Sequence, residues 1–575
     1  MAAARSTASS TALVRRSLIA APAVGSASQS RTLFFSSRWR AAPTVSSGAV
    51  AGAQGVASVN PSSSSSSSSS GGSNGGGRPR RGFFTRVKRG IYATTALSLG
   101  AFGYYAYEAN NPPDQLPQDP KLKTIVVLGS GWAATSMLQN IDTRNYNVIV
   151  ISPADYFLFT PLLPSVTVGT INGRSIAQPT RQTVRFGARE VQCLEAEATH
   201  VDVKAKTVTF EDKSEIHGSL GTVTIPFDYL VYSVGTAPQT FGIDGVRKHG
   251  CFLKELRDAE KIRNRLMDCV ESACITGQPQ SEVDRLLHTV VVGGGPTGVE
   301  FAAELRDFVV EDLSKWYPEI ANRVKVTLVE GLPSILPMFS KKLVEYTEHE
   351  FSQQEISVLT KHMLKDVDET HVTVQKPDGT MDKMPYGLFV MAAGNGQREI
   401  TRDLMAQLPE SQKNRRGLEV DDHMRLKGME ETIFALGDCT ATPYAATAQS
   451  ASQQGKWLGK RFNQMARIDD LNEAVALAQK EGRWDEVPTY QKMLKKAEKL
   501  KPFHYSHAGA LAYIGGDKAI ADLPFMNGEV SIGGVATFVA WRGVYFSKLF
   551  SLRNRVQVGA DWLHVKVFGR CVTRE

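Results

Sequence analysis

The chain is 575 residues long and 42% hydrophobic, which is enough for more than one domain with a sizeable core. Its formal net charge is +8, but residues 1–107 contain twelve Arg or Lys and no Asp or Glu, so the rest carries 54 minus 58, or −4. The basic balance therefore belongs to the N-terminal leader, and we expect no nucleic-acid partner.

The leader, residues 1–80, has the composition of a mitochondrial presequence. Arginines are scattered among Ser, Ala and Leu without any acid, which is typical of mitochondrial transit peptides. The leader ends in a serine tract, Ser62–Ser70, and a glycine-rich run, Gly71–Gly77. Neither run can bury enough apolar surface to offset the entropy of ordering, so we predict disorder up to about residue 80.

Residues 86–120 hold a candidate membrane-spanning helix and a Pro-rich linker. Gly90–Tyr107 contains no charged residue, follows Arg86, Lys88 and Arg89, and would reach about 27 Å as a helix. Its many Gly, Ala and Thr residues leave an ordinary buried or surface helix as the alternative. A spanning helix would keep the basic flank in the matrix, so the rest of the chain would face the intermembrane space; otherwise it would face the matrix.

The first glycine fingerprint follows an apolar strand predicted over Thr124–Leu128. Gly129 permits a tight turn, Gly131 lets the backbone approach a pyrophosphate, and Ala134 replaces the usual third glycine. Phosphate at this turn would meet the N-terminus of the next helix, where free N–H groups favour negative charge. The following strand, Val148–Ile151, does not end in an acid, so it offers no clear ribose acceptor.

The second fingerprint is more regular. The predicted strand His288–Val292 leads directly into the glycine turn Gly293–Gly298, and an amphipathic helix follows. A further apolar strand, Val324–Val329, ends in Glu330. An acid at that strand end accepts hydrogen bonds from both ribose hydroxyls and repels a 2′-phosphate, so the pattern favours NADH over NADPH.

Three more strands place the two fingerprints in one fold. Thr432–Leu436 ends in Gly437-Asp438, which resembles the strand of two-dinucleotide flavoproteins whose Asp holds the ribityl chain of FAD. Tyr229–Gly235 and Leu388–Gly394 resemble the strands that lead from one nucleotide domain to the next in that family. The resemblance implies an α/β fold with two Rossmann-like dinucleotide-binding domains, the NADH domain being inserted in the FAD domain.

The expected domains follow this nested order. The FAD-binding domain is expected in two parts, residues 121–250 and 396–500. The NADH-binding domain, residues 251–395, lies between them. A membrane-anchoring and dimerisation region, residues 501–575, ends the chain. The charged insertion Asp469–Lys499 is expected to form two helices around a break at Gly482-Arg-Trp484.

Longer motifs narrow the resemblance to the type II, non-proton-pumping NADH:ubiquinone oxidoreductases of mitochondria. The similar segments are Tyr156–Ser165, Gly294–Leu305, Ala448–Gly455, Arg553–Trp562 and Phe568–Arg570. The match runs from about residue 121 to the end of the chain. It implies FAD and NADH as cofactors, ubiquinone as acceptor, an inner-membrane location, and hydride transfer from NADH to FAD without proton pumping.

The resemblance also implies the site residues. Glu300 can reach the nicotinamide carboxamide, whereas Glu304, one turn later, is a candidate solvated or salt-bridged helix charge. Gln449 and Gln453 share a helix face and can hydrogen-bond quinone carbonyls; otherwise they are helix-surface or flavin-ring residues. The mechanism requires no acid–base residue and no metal. The expected FAD-binding residues are Gly129, Gly131, Trp132, Ala134, Thr160, Gly235, Gly437 and Asp438; the expected NADH-binding residues are Gly293, Gly295, Pro296, Gly298, Glu300, Glu330 and Gly394.

Two other functions stay open on the sequence. A sulfide:quinone oxidoreductase needs reactive cysteines but no complete NADH fingerprint, so the second fingerprint argues against it. Disulfide reductase activity is not expected either, because it needs two thiols beside the flavin and none follows the first fingerprint within its βα unit. Cys269 and Cys274 lie in a helical stretch and are interpreted as structural thiols rather than zinc ligands. An NADH-sensing flavoprotein in the manner of apoptosis-inducing factor would act through partner binding and reoxidise slowly with ubiquinone.

The C-terminal region predicts two amphipathic helices. In the first, aromatic and aliphatic residues recur at helical spacing beside basic residues, namely Phe538, Trp541, Tyr545, Leu549 and Leu552. Neither helix is long or apolar enough to span, so we expect this face to rest on inner-membrane lipid. The alternative is a helix pair packed on the body or on a second subunit, and we expect a homodimer.

Overall fold

The computed structural model describes residues 81–574 except 215, 217, 500, 526 and 527. The chain divides into two units, residues 1–91 and 92–575. In the first unit the described residues belong to the start of one helix, Arg81–Asn110. The presequence and the disorder predicted for residues 1–80 lie outside the described residues.

The helix Arg81–Asn110 covers the candidate membrane-spanning segment. Its helical state agrees with the prediction for Gly90–Tyr107, but none of the helices in the described ranges is both long and apolar enough to cross a membrane. The predicted spanning helix is therefore wrong. The segment lacks charge, yet its Gly, Ala, Thr and Tyr residues keep its hydropathy low.

The first sheet contains five parallel strands and carries the first glycine fingerprint. The strands lie in the order Ile433–Ala435, Tyr229–Tyr232, Thr124–Leu128, Asn147–Ser152 and Val191–Glu195. The almost uniform burial of Thr124–Leu128 and Asn147–Ser152 explains their continuous apolar runs in the sequence. Two helices, Trp132–Leu138 and Ala448–Lys480, pack against each other and share a core with this sheet.

The second sheet is also parallel and carries the second fingerprint. Its strands lie in the order Cys251–Phe252, Leu388–Met391, His288–Val292, Lys325–Glu330 and Ile356–Thr360. In sequence, all five lie between Tyr229–Tyr232 and Ile433–Ala435, the fourth and fifth strands of the first sheet, so the chain has the nested order that the motifs predicted. The observed strand ends differ from the predicted ones by only a few residues.

Smaller antiparallel sheets complete the described strands. Three have three strands each, namely Glu197–Asp202 with Thr207–Glu211 and Thr222–Pro226, Met363–Val367 with His371–Gln375 and Met381–Pro385, and Ala510–Tyr513 with Ala519–Phe525 and Gly528–Gly534. Two have two strands each, namely Tyr156–Leu158 with Ala177–Pro179, and Ala237–Pro238 with Asn395–Gly396.

The remaining α-helices fill the connections. In chain order these are Leu163–Val166, Gly173–Ile176, Thr180–Val184, Asp244–His249, Leu256–Ala273, Gln280–Leu286, Pro296–Phe308, Ser314–Trp316, Pro318–Ala321, Lys341–Gln353, Glu399–Gln407, Val487–Ala497, Val535–Lys548 and Leu552–Phe568. The charged insertion has its two helices and its break, as predicted, but its first helix is simply the end of Ala448–Lys480.

Helix Val535–Lys548 has an aromatic face that was expected to rest on lipid. This face packs instead on the C-terminal sheet of the same chain. Phe538 and Trp541 are buried, and their rings lie 5.1 and 5.7 Å from the ring of Tyr513 in the C-terminal sheet. Leu549 is buried as well. The prediction of a lipid-facing aromatic side is therefore wrong for these residues, because the sheet of the same chain removes the rings from solvent.

Candidate active site

The first glycine turn leaves an open space at a helix N-terminus. Gly129 has φ +102°, and a side chain there would meet the Ser233 carbonyl at 2.6 Å, so the position requires glycine. Gly131 is the N-cap of helix Trp132–Leu138, no side chain caps that end, and the space beside Gly131 is open. Free N–H groups at such a helix end suit a pyrophosphate. Ala134, in the third glycine position, is fully buried.

Asp438 lies just beyond the carboxyl end of strand Ile433–Ala435, in the same sheet as the first turn. The preceding Gly437 donates its N–H to Gln454 Oε1 at 2.7 Å, which fixes the backbone before the acid. Burial raises the pKa of Asp438, and the positive charge of Lys254 lowers it. Asp438 is thus a half-buried hydrogen-bond acceptor at the edge where open α/β sheets bind ligands, which fits the ribityl role.

Lys254 belongs to this region although no sequence motif singles it out. Its Nζ donates to Asn395 Oδ1 at 2.8 Å and also to Thr236 Oγ1. Burial lowers the pKa of Lys254 to about 8, while Asp438 acts in the opposite direction. Only the folded chain brings Lys254 to Asn395, because the two residues are 141 positions apart in sequence.

Trp132 and Thr160, both expected on the FAD side, contact each other. Trp132 Nε1 donates to Thr160 Oγ1 at 3.1 Å, and the indole packs edge-on against Phe157 with ring centroids 4.9 Å apart. Phe159 in turn lies 6.1 Å from Tyr545 of the C-terminal helices. An aromatic cluster therefore connects the first glycine turn to the C-terminal region.

The second glycine turn has the same form as the first. Gly293 has φ +121°. Gly298 lies so close to the Gly293 carbonyl that a side chain would collide with it, which is the close helix–strand packing that the third glycine predicts. Gly295 is the N-cap of helix Pro296–Phe308, without a capping side chain and with open space beside it. This turn also fits a pyrophosphate.

Two backbone amides hold the Glu330 carboxylate beside the second turn. Its Oε2 accepts from the N–H of Gly294 at 2.5 Å, and its Oε1 accepts from the N–H of Leu332 at 2.7 Å. The side chain is only half-buried, at the end of strand Lys325–Glu330. Each carboxylate oxygen keeps further lone-pair capacity, so the group can still accept hydrogen bonds from ribose hydroxyls.

Glu300 lies on the face of its helix that packs against the C-terminal region. Its Oε1 accepts from the N–H of Tyr513 at 3.2 Å, and the side chain is buried. Burial raises the pKa of Glu300 to about 8, although the Tyr513 N–H and the Trp541 side chain favour the charged form. At neutral pH this group is therefore mainly a carboxylic acid that can donate a hydrogen bond. Contact with the nicotinamide remains a prediction.

Glu304 is buried, so its interpretation as a solvated charge is wrong. Its two oxygens accept from Ser165 Oγ at 2.6 Å and from Thr170 Oγ1 at 2.8 Å. Arg570 Nη2 lies 3.9 Å from the carboxylate, which leaves the salt-bridged interpretation standing. Glu304 thus joins the helix after the second turn to the first domain and to the C-terminal tail.

Arg570 is the buried centre of an ionic cluster. Its Nη1 lies 2.9 Å from Asp312 Oδ2 and 2.7 Å from Glu311 Oε2, and its Nε donates to Thr170 Oγ1 at 2.9 Å. A cavity of about 390 Å³ opens beside this cluster, and neither glycine turn lines it. The cluster ties the C-terminal motif to both nucleotide domains.

Gln449 and Gln453 lie on one face of the helix Ala448–Lys480 and bind the backbone of a later segment. Gln449 Nε2 donates to the Gly509 carbonyl at 2.8 Å, and its Oε1 accepts from the N–H of Ala508 at 3.2 Å. Gln453 exchanges two hydrogen bonds with the backbone of Ser506, at 2.8 and 2.9 Å. The sequence gives no sign of this engagement, because no motif marks the segment 506–509. Quinone contact remains a prediction.

The six cysteines are free thiols. Burial raises the pKa of Cys269 to about 11 and that of Cys439, next to the flavin-side Asp438, to about 12. Disulfide and persulfide chemistry requires a thiolate, so these buried groups are poorly suited to it. The buried thiols of Cys269 and Cys439 therefore give no support to the sulfide oxidoreductase alternative.

Known protein families match most of the chain. A model of the pyridine nucleotide-disulphide oxidoreductases matches residues 123–455, and a model of the NDH2 C-terminal domain matches residues 507–571. The mitochondrial external alternative NADH-ubiquinone oxidoreductase of Yarrowia lipolytica is 48% identical, over 86% of this chain and 89% of its own length.

Solved structures resemble this fold as well. NDH2 from Plasmodium falciparum, determined in complex with NADH, is 27% identical with a TM-score of 0.69, over 79% of this chain and 100% of that one. The sulfide:quinone oxidoreductase of Aquifex aeolicus, at 16% identity and a TM-score of 0.54 over 79% of this chain and 98% of its own, shares the fold alone. The motifs, the nested sheets and the relatives together show that the chain belongs to the type II NADH:ubiquinone oxidoreductases.

Proposed function

We propose that the protein transfers a hydride from NADH to FAD and then passes electrons from the reduced flavin to membrane ubiquinone, without pumping protons. The observation that carries the proposal is the pair of open glycine turns, each at an uncapped helix N-terminus, in the nested order of a flavoprotein. The names of the relatives support the donor and the acceptor. FAD supplies the redox chemistry when bound.

The chain itself binds and orients the two dinucleotides. Backbone N–H groups at the turns of Gly131 and Gly295 bind the pyrophosphates, and Asp438 accepts from the ribityl chain. Glu330 accepts from the ribose hydroxyls and repels a 2′-phosphate. Glu300, as a neutral acid, holds the nicotinamide carboxamide by hydrogen bonding.

The acceptor side of the flavin is assigned to the helix face of Gln449 and Gln453. Both amides bind the backbone of residues 506–509, so they hold this segment on the helix whose Gln454 accepts from the N–H of Gly437. Amide groups can hydrogen-bond quinone carbonyls without placing a charge in an apolar site. A quinone that contacts the two amides directly must replace their hydrogen bonds to the backbone of residues 506–509.

The protein is proposed to act at the mitochondrial inner membrane and to face the intermembrane space. A relative at 48% identity is named both mitochondrial and external, and the leader has the composition of a presequence. The orientation does not rest on a spanning helix. The alternative is the matrix face.

The outward side of the C-terminal helices is proposed to contact inner-membrane lipid and a second copy of the chain. Exposed apolar residues remain there after the aromatic face is buried, namely Val535, Val539, Leu563, Val567 and Phe568. Val539→Asp with Leu563→Asp should reduce flotation with anionic vesicles or the dimer mass in detergent, because the changes remove apolar surface and add no attraction to anionic lipid. Wild-type values for both would remove this surface from the proposal.

Steady-state kinetics of the purified FAD-loaded protein test the function against its alternatives. NADH with a soluble ubiquinone should support turnover, whereas sulfide should not replace NADH. Reduction by NADH followed by very slow oxidation by quinone would favour the NADH-sensing alternative instead. Turnover with sulfide would favour the sulfide:quinone oxidoreductase.

A further inference from the structure

Lys254 lies between the two segments that connect the nucleotide domains. Its hydrogen-bond partners, Thr236 and Asn395, directly follow Gly235 and Gly394. The two segments also pair with each other, because Ala237–Pro238 and Asn395–Gly396 form a short antiparallel sheet. The ammonium group therefore sits at the junction where the chain leaves the first domain and returns to it.

The surroundings of Lys254 compensate its charge only in part. Both of its hydrogen-bond partners are neutral oxygens, and burial lowers its pKa to about 8. The charged groups that face it are two kinds: Arg398 opposes its protonation, and the acids Asp438, Glu255 and Asp258 favour it. Withdrawing a cation from water is unfavourable unless an anion or a strong acceptor replaces the lost hydration. A cation kept in such a place is suited to an anionic ligand.

The location also matches the flavin side of the first domain. Asp438 and Gly235 follow neighbouring strands of the first sheet, Ile433–Ala435 and Tyr229–Tyr232, at their carboxyl ends. Ligands of open α/β sheets bind outside these ends. Lys254, which interacts with Asp438 and bonds to the residue after Gly235, therefore borders the same space.

We propose that Lys254 is a cationic contact of the bound FAD and stabilises its reduced form. This inference rests on the proposed function, since it requires FAD at the first turn. Transfer of a hydride from NADH gives NAD⁺ and adds two electrons and one proton to the flavin, so the flavin gains one net negative charge. A nearby ammonium attracts that charge and favours reduction.

Substitution of Lys254 in the FAD-loaded protein tests the contact. Lys254→Met should lower the ratio of reduced to oxidised flavin at a fixed potential at least tenfold, which is about 30 mV for a two-electron couple. Lys254→Arg should stay close to wild type. Lys261→Met is the matched control, because Lys261 lies on the following helix and bonds to the Gly250 carbonyl at 3.0 Å. An unchanged potential in a fully loaded Lys254→Met variant would overturn the proposal.

Amine labelling of the wild-type protein keeps the inference testable if Lys254→Met loses its flavin. Limited acetylation before and after FAD removal, read by peptide mass spectrometry, should show Lys254 at least tenfold protected by FAD and Lys261 unchanged. Equal labelling of Lys254 in both states would contradict the contact. Reduction of the wild-type flavin by NADH is measured first, so a failure of the proposed function is separated from a failure of this inference.

Discussion

At the scale of single residues, burial rather than sequence pattern decides protonation. Glu300 and Asp307 lie about two turns apart on one helix, and burial raises their pKa values to about 8 and about 7. Asp307 accepts from the Tyr513 hydroxyl and from the Gly516 N–H, yet desolvation outweighs both bonds. The spacing of the two acids is visible in the sequence. Their burial depends on the C-terminal sheet, which is distant in the chain.

The stability of the protein should therefore fall with rising pH through Glu300. Its carboxyl binds a proton more tightly in the native state than at the ordinary value of 4.5, so the free energy of unfolding falls between about pH 4.5 and about pH 8. Glu300→Gln lacks this loss and keeps the acceptor for Tyr513. We expect the free energy of unfolding of Glu300→Gln, measured relative to wild type, to be higher at pH 8.5 than at pH 4.5 by at least about 1 kcal/mol.

Thermal unfolding at both pH values measures this difference. Glu345→Gln, an exposed change on helix Lys341–Gln353, keeps Glu300 and should lose stability between the two pH values as wild type does. Parallel curves for Glu300→Gln and wild type would mean that Glu300 is ionised in the native protein.

Nucleotide choice should depend on Glu330. Glu330→Gln removes the negative charge beside the ribose while it can keep the acceptor for the Gly294 amide, so the preference for NADH over NADPH should relax about tenfold, or about 1.4 kcal/mol. The ratio of kcat/KM for the two nucleotides measures this. Retention of the wild-type ratio would exclude Glu330 from ribose recognition.

At the scale of elements, local motifs predicted the nucleotide domains well. The strands Thr124–Leu128 and His288–Val292 were predicted to the residue, because each is a buried apolar run that ends in a glycine turn. The packing of the C-terminal helix Val535–Lys548 was not predictable, since an aromatic helix face looks the same whether lipid or a sheet covers it. The same limit applies to Gln449 and Gln453, whose backbone partners lie more than fifty positions away.

The helix face of these glutamines should separate the two half-reactions. Gln449→Leu with Gln453→Leu should leave flavin reduction by NADH intact and slow reoxidation by ubiquinone about tenfold or more, because the quinone side alone depends on this face. Stopped-flow absorbance of the flavin measures both steps. The control is Gln479→Leu, an exposed position on the same helix. Equal slowing of both steps would place the glutamines at the flavin instead.

At the scale of the whole molecule, the side of the inner membrane on which the protein lies decides whether it oxidises NADH of the matrix or NADH of the intermembrane space. NADH does not cross that membrane freely, so a protein in the intermembrane space should let intact mitochondria oxidise added NADH. Protease should degrade the part of the chain that follows residue 108 once the outer membrane is ruptured. Resistance of this part until the inner membrane is dissolved would place it in the matrix.

The central claim is that one chain takes electrons from NADH into FAD and delivers them to ubiquinone. The most direct measurement is anaerobic stopped flow of the purified holoprotein, with NADH mixed first and a soluble ubiquinone second. The flavin absorbance should bleach with NADH and recover with quinone, both at rates no slower than steady-state turnover. A flavin that NADH does not bleach, or that quinone restores far more slowly than turnover, would contradict the account.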